Sequence, residues 1–166
     1  MFGKDALLDS YIMLRFYNYD IVFAEIPDEV SLAINITNCP NRCKNCHSLW
    51  LWEDKGEELN EENLCAIVGE YLDSITCVAF MGGDNEVKAV NDLAEFVKEK
   101  FQKKTAWYSG KDELSDDIDT KNFDYIKIGS YNQEFGGLKE KTTNQHLYKL
   151  MDGKIVEDIT YRFWKK

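Results

Sequence analysis

Residues 38–47 read N-C-P-N-R-C-K-N-C-H, which puts Cys39, Cys43 and Cys46 within eight positions. Thiolate is the form of cysteine that binds metal, and close spacing on one segment lets several thiolates converge on one site. The spacing C-x3-C-x2-C supplies three ligands. Two chemistries suit it: three corners of a [4Fe–4S] cube with the fourth iron open, or a Cys3His zinc site closed by His47. Ligand softness does not separate them. His47 adjoins Cys46 directly, an awkward position from which to close the same tetrahedron. The chain holds five cysteines in all, an odd number that argues against a disulfide framework.

A second group of residues lies further along. Gly82-Gly83-Asp84 follows the apolar run I-T-C-V-A-F-M at 75–81. Glycines permit close approach of backbone to a ligand, although the same three residues also suit a tight strand-to-helix turn with Asp84 as its cap. Ser109 and Lys127 fall at or near the ends of the next two expected strands, where parallel βα architectures bind ligands. Ser109 suits a ribose or a carboxylate, and Lys127 suits a carboxylate, but most lysines are solvated surface charges.

These groups need a scaffold. The 166 residues fit one domain, 1–166, with no repeat or linker. Branched and aromatic runs at 12–17 and 30–36 predict strands around a turn at 27–29, and the second strand leads into the cysteines. Asn60 reads as the N-cap of a helix whose apolar face is Leu64, Ile67, Val68 and Tyr71. Residues 75–81 read as a strand buried on both faces. Val87, Val90, Ala94, Val97 and Phe101 fall at helical spacing, and strands are expected at 105–110 and 123–129. Asp152-Gly153 marks a C-terminal β-hairpin. The pattern predicts an α/β fold: a partial, open βα barrel of mainly parallel strands, with a β-rich N-terminus.

Thirty acidic against twenty basic residues, a net charge of -10, exclude the clustered cations that nucleic acid and anionic membranes require. The N-terminal stretch M-F-G-K-D-A-L-L-D-S-Y has no long apolar core behind a basic region, and the most apolar run is too short to cross a bilayer. A soluble cytoplasmic protein with reduced thiols is expected. Cys65 and Cys77 read as small core residues.

The C-x3-C-x2-C run at the exit of an early strand, with G-G-D after the next buried strand, resembles the radical S-adenosylmethionine superfamily. W-Y-S-G at 107–110, F-D-Y-I-K-I-G-S-Y at 123–131 and Thr143-Asn144-Gln145 resemble the anaerobic ribonucleoside-triphosphate reductase-activating proteins. The resemblance covers roughly residues 30 to 150. It implies that Cys39, Cys43 and Cys46 hold a [4Fe–4S] cluster and that its open iron binds S-adenosylmethionine. It implies that Gly82, Gly83 and Asp84 meet the methionyl amino group, with Ser109 and Lys127 as further cofactor contacts. Asn45, Asn144 and Gln145 would line the cleft. The implied partners are an anaerobic ribonucleoside-triphosphate reductase, which presents a glycine loop, and a low-potential electron donor protein. Activation of another glycyl radical enzyme, a small-molecule radical reaction and a non-catalytic zinc-binding module are the alternatives. The chain departs from the pattern in carrying A-E-I-P-D-E where relatives have an Asp-Gly-Pro-Gly-like turn. It also has Asn45 where an aromatic residue is frequent, and Leu49 where proline is common.

Overall fold

The computed structural model describes residues 13–164. The reading of the first eleven residues, and of Ile12 as a strand start, lies outside them. Strands β1 (Arg15–Val22) and β2 (Ser31–Ile36) are followed by a single 3-10 turn (Leu49–Leu51) and a two-residue strand β3 (Glu57–Glu58). Helix α1 (Glu61–Glu70), β4 (Cys77–Met81), helix α2 (Val87–Phe101) and β5 (Lys104–Tyr108) come next. Then come β6 (Tyr125–Ile128) and the C-terminal pair β7 (His146–Met151) and β8 (Lys154–Asp158). All eight strands form one sheet in the order β3-β1-β2-β4-β5-β6-β7-β8.

The central four strands, β2, β4, β5 and β6, pair in parallel. Strands β1 and β7 on either side run the other way and the outermost β3 and β8 reverse again, so four of the seven pairings are antiparallel. This corrects the expectation of a mainly parallel open barrel: the sheet is mixed, and it does not close. The reason lies in the connections. A parallel partner needs a long crossover, whereas the short link between β1 and β2 returns the chain antiparallel. Only two α-helices are present among the described residues, and β5 reaches β6 through one 3-10 turn (Thr120–Asn122) instead of a third helix. No described helix is long and apolar enough to cross a membrane.

Local signals set the element ends. The Asn60 side chain accepts from the Asn63 N–H at 2.9 Å and starts α1, whose Leu64, Ile67 and Val68 are buried. Alternation along each strand divides the sheet into two faces. Leu32, Ile34, Val78, Phe80, Trp107 and Ile126 pack under the helices. The opposite face is built low. Register aligns Ala33 with Ala79 and Ala79 with Ala106, a row of alanines across three strands. The connection between β1 and β2 folds over that face and buries Ile26 completely beside Cys77, Ala79 and Ala106. One step nearer the C-terminal edge, the same register aligns Asn35, Met81, Tyr108 and Lys127. That second row lies at the end of the sheet where the cysteine loop leaves β2.

Candidate metal centre and cofactor cleft

The loop after β2 is pinned at both ends. Thr37 donates from its hydroxyl to the Lys55 carbonyl at 2.6 Å. The N–H groups of Asn38 and Cys39 donate to the Glu53 and Leu51 carbonyls, each at 3.0 Å. Between these anchors the chain turns left-handed three times, at Asn38 (φ 60°), Arg42 (φ 47°) and Asn45 (φ 60°). Each of the three immediately precedes a cysteine. Asparagine tolerates this region best; a residue such as Arg42 pays about 1–2 kcal/mol for it. Arg42 is held by a hydrogen bond to the Trp52 carbonyl (3.2 Å) and by its guanidinium over the Trp52 ring (5.4 Å). Left-handed residues interspersed in a turn direct successive N–H groups toward one side, the backbone concavity that holds anions and iron–sulfur clusters.

All three thiols are free and partly exposed. The Ser48 N–H donates to Cys46 Sγ at 3.4 Å, the kind of bond that tunes a metal-bound thiolate. Among the described residues no three His, Cys, Asp or Glu side chains are gathered closely enough to hold a single metal ion. Three thiols presented by one loop, each preceded by a left-handed residue, are a donor set that suits three irons of a [4Fe–4S] cube. His47 does not close the set; its ring meets Tyr131 edge-on at 5.1 Å.

Gly82-Gly83-Asp84 arrives beside this loop. Gly82 and Gly83 have φ of 109° and 96°, and a Cβ on Gly83 would sit 2.4 Å from Val90 Cγ2. Asp84 does not cap α2, whose N-cap residue is Glu86. Its carboxylate ties three elements together: it accepts from Asn41 Nδ2 (2.6 Å), the Gly110 N–H (2.7 Å) and the Ser109 hydroxyl (2.6 Å). A Cβ at Gly110 would come within 2.5 Å of Asn41 Nδ2 and displace that amide from Asp84. A carboxylate offers about four lone-pair sites, so one remains for a ligand. Ser109 is buried: its hydroxyl donates to Asp84 and accepts from the Lys111 N–H.

Lys127 is only 7% exposed, and its ammonium donates to the carbonyls of Ser109 (3.0 Å) and Gly129 (2.7 Å). A third N–H is left over. No carboxylate lies within salt-bridge distance among the described residues. Burial pushes the ammonium down to about 8, against the attraction of Asp84, Cys43, Asp112 and Cys39.

Lys127, Tyr108, Gln145, Cys46 and His47 line a cavity of about 630 Å³. Gln145 is 7% exposed and donates to the Gly129 carbonyl at 3.3 Å. Asn144 and Asn45 do not line this cavity. Asn144 donates to the Ser130 carbonyl, with its Oδ1 buried and without a donor. Asn45 donates to Gln133 and so links the cysteine loop to the segment after β6. Sequence reasoning missed Asn41, Tyr108, Tyr131 and Glu25. All four lie inside stretches the sequence singles out, Asn41 in the cysteine run, Tyr108 in W-Y-S-G, Tyr131 at the end of F-D-Y-I-K-I-G-S-Y and Glu25 in A-E-I-P-D-E, but nothing local assigned these side chains to the site. Cys65 is half-buried on α1; Cys77 is buried at the far end of β4, where burial and the nearby Glu29 charge push its thiol up to about 12.

No curated protein matches the chain. No solved structure matches it. The model of the 4Fe-4S single cluster domain family matches residues 30–128, well over half of the chain. That span runs from the entry to β2 to the end of β6 and so takes in the three loop cysteines, Gly82-Gly83-Asp84, Ser109 and Lys127. With this match over the whole parallel core, the chain is an iron–sulfur protein that belongs to the 4Fe-4S single cluster domain family.

Proposed function

We propose that the protein is an activating enzyme that reductively cleaves S-adenosylmethionine at a [4Fe–4S] cluster and generates a glycyl radical on an anaerobic ribonucleoside-triphosphate reductase. The observation that carries this reading is the wound three-cysteine loop opening onto a cavity that also exposes a buried, carboxylate-free lysine. A bound cluster, re-reduced by a low-potential donor, would supply the single electron that reductive cleavage of S-adenosylmethionine requires and so the means of taking a hydrogen atom from a partner glycine. Cys39, Cys43 and Cys46 hold three irons and leave the fourth for substrate. The spare N–H of Lys127 meets the substrate carboxylate, and the remaining lone pair of Asp84 meets its ammonium. Tyr108 and Gln145 wall the cavity and displace water from it. A reducing cytoplasm and a low-potential donor protein suit this chemistry.

The test is anaerobic reconstitution with iron and sulfide, followed by electron paramagnetic resonance of the reduced protein with and without S-adenosylmethionine. A cluster signal that changes on adding it supports direct binding. A protein that takes up one zinc and never assembles a cluster, or whose signal ignores S-adenosylmethionine, overturns the reading. Incubation with candidate reductases then shows on which one a glycyl radical signal grows.

A further inference from the structure

The cavity is lined from both ends of the sheet. Cys46 and His47 come from the loop at the C-terminal edge of the parallel strands, whereas Glu25 comes from the connection between β1 and β2 at their N-terminal edge. Glu25 is held in place through its backbone: the Tyr108 hydroxyl donates to its carbonyl oxygen. Its side chain has no such support. Oε2 is shielded from solvent and has no donor, and no cation pairs with the carboxylate among the described residues. A shielded carboxylate oxygen without a partner costs stability, and a charged donor that enters the cavity removes that cost. The last torsion of a glutamate is broad, so either oxygen can turn toward such a donor.

The other charges around the cavity do not supply one. Lys127 spends two donors on the Ser109 and Gly129 carbonyls, stands over the Tyr108 ring 6.0 Å from its centroid, and forms no salt bridge among the described residues. Lys139 is exposed beside Glu140 on the segment that forms the lip. The cavity of about 630 Å³ opens to solvent on the side of Glu25, Lys139 and Glu140, which leaves room for a chain segment beside a molecule held at Lys127. A net charge of -10 favours the approach of a basic one.

We propose that Glu25 is a specificity-determining residue that receives a basic side chain from the partner's peptide segment when that segment lies in the cavity below Cys46. This deepens the proposed function and rests on it for the identity of the segment as the glycine-bearing loop. Glu25 takes no part in electron transfer or hydrogen abstraction. It selects which peptide reaches the site.

The probes are glycine-centred pentapeptides with one arginine at each flanking position in turn, and the same peptides with citrulline, which keeps the shape and removes the charge. Binding to the reconstituted protein is read by fluorescence anisotropy of labelled peptide. At one or more positions arginine should outbind citrulline about tenfold or more, the range of a charge-assisted bond. Glu25→Gln should bring that ratio to near one and leave the citrulline peptides unchanged, and Glu25→Asp should restore part of it. Equal binding of arginine and citrulline peptides at every position, no binding at millimolar peptide, or a ratio untouched by Glu25→Gln overturns the proposal. Circular dichroism of each variant confirms the fold. Formation of 5′-deoxyadenosine is followed in parallel: a protein that cleaves S-adenosylmethionine but ignores arginine sinks this inference alone. One that discriminates arginine without cleaving sinks only the proposed activity.

Discussion

Both ends of the parallel sheet hold a carboxylate among donors from different elements, and they treat charge differently. At the N-terminal edge Glu29, 5% exposed, accepts from Lys104 Nζ (2.6 Å), Thr76 and the Tyr125 hydroxyl (2.9 Å). The charges there cancel in place. At the C-terminal edge Asp84 is bonded only by neutral donors, and the nearby ammonium of Lys127 has only carbonyls. The first end is complete without a ligand. The second holds charge and hydrogen-bonding capacity in reserve, as the ligand-binding edge of parallel strands does in α/β folds. Charge is thus balanced around Glu29 and left open around Asp84 and Lys127, at opposite ends of the same four strands.

The strongest way to break this comparison is at the thiols. Cys43→Ala should reduce iron and sulfide incorporation to baseline while the far-ultraviolet circular dichroism stays unchanged, because Cys43 is half-exposed and supports no core contact. Loss of fold along with the cluster would mean that this end also carries stability. Next, Glu29→Ala and Asp84→Ala should part company. Glu29→Ala leaves Lys104 and Tyr125 without their acceptor and should cost about 2–4 kcal/mol, read as a lowered Tm with cluster content intact. Asp84→Ala frees Asn41 from β4 and β5, so reconstituted protein should lose iron faster on chelator challenge, with a smaller change in Tm.

Lys127→Met sharpens the difference from the opposite direction. It removes a buried charge that folding must desolvate, so ligand-free protein should be stabilised by about 1–3 kcal/mol, while affinity for S-adenosylmethionine falls about tenfold or more. Isothermal calorimetry and thermal melts on the same preparation check both signs. The smallest effect is in acid. Burial raises the Glu29 carboxyl, but the bonds from Lys104, Thr76 and Tyr125 outweigh it and hold it below the usual carboxylate range. Its contribution is therefore present above the unfolded value, about 4.3, and fades as pH falls through the lower folded value. Glu29→Gln should flatten that limb of the stability curve.

Signals confined to a few residues were legible in the sequence. The cysteine run, the N-cap at Asn60, the turn at Asp152-Gly153 and the need for two glycines before Asp84 all rest on local chemistry, and the structure contains each. What the sequence hid was long-range pairing. Asp84 could be read as a cofactor contact or a helix cap but not as a tie between elements, because its partners, Asn41, Ser109 and Gly110, lie 25 to 43 residues away. Tyr108 and Glu25 meet across 83 residues. The C-terminal hairpin was legible, but the antiparallel joining of β7 to β6 and of β3 to β1 was not, because periodicity along a strand says nothing about the direction of its neighbour. Strand β1 ran past the expected 12–17 to Val22 because pairing with β2 satisfies its polar stretch N-Y-D, a contact invisible in the strand itself.

The alanine row across β2, β4 and β5 has a consequence for how such a protein can change. Methyl groups present a nearly level shelf, and the overlying connection grips it chiefly through Ile26. Residues 24 and 25 can therefore be exchanged without disturbing the interlocking side chains on the helical face. A chain built this way keeps its cysteine loop and the connection that carries Glu25 on separate segments, so that one can change while the other stays fixed.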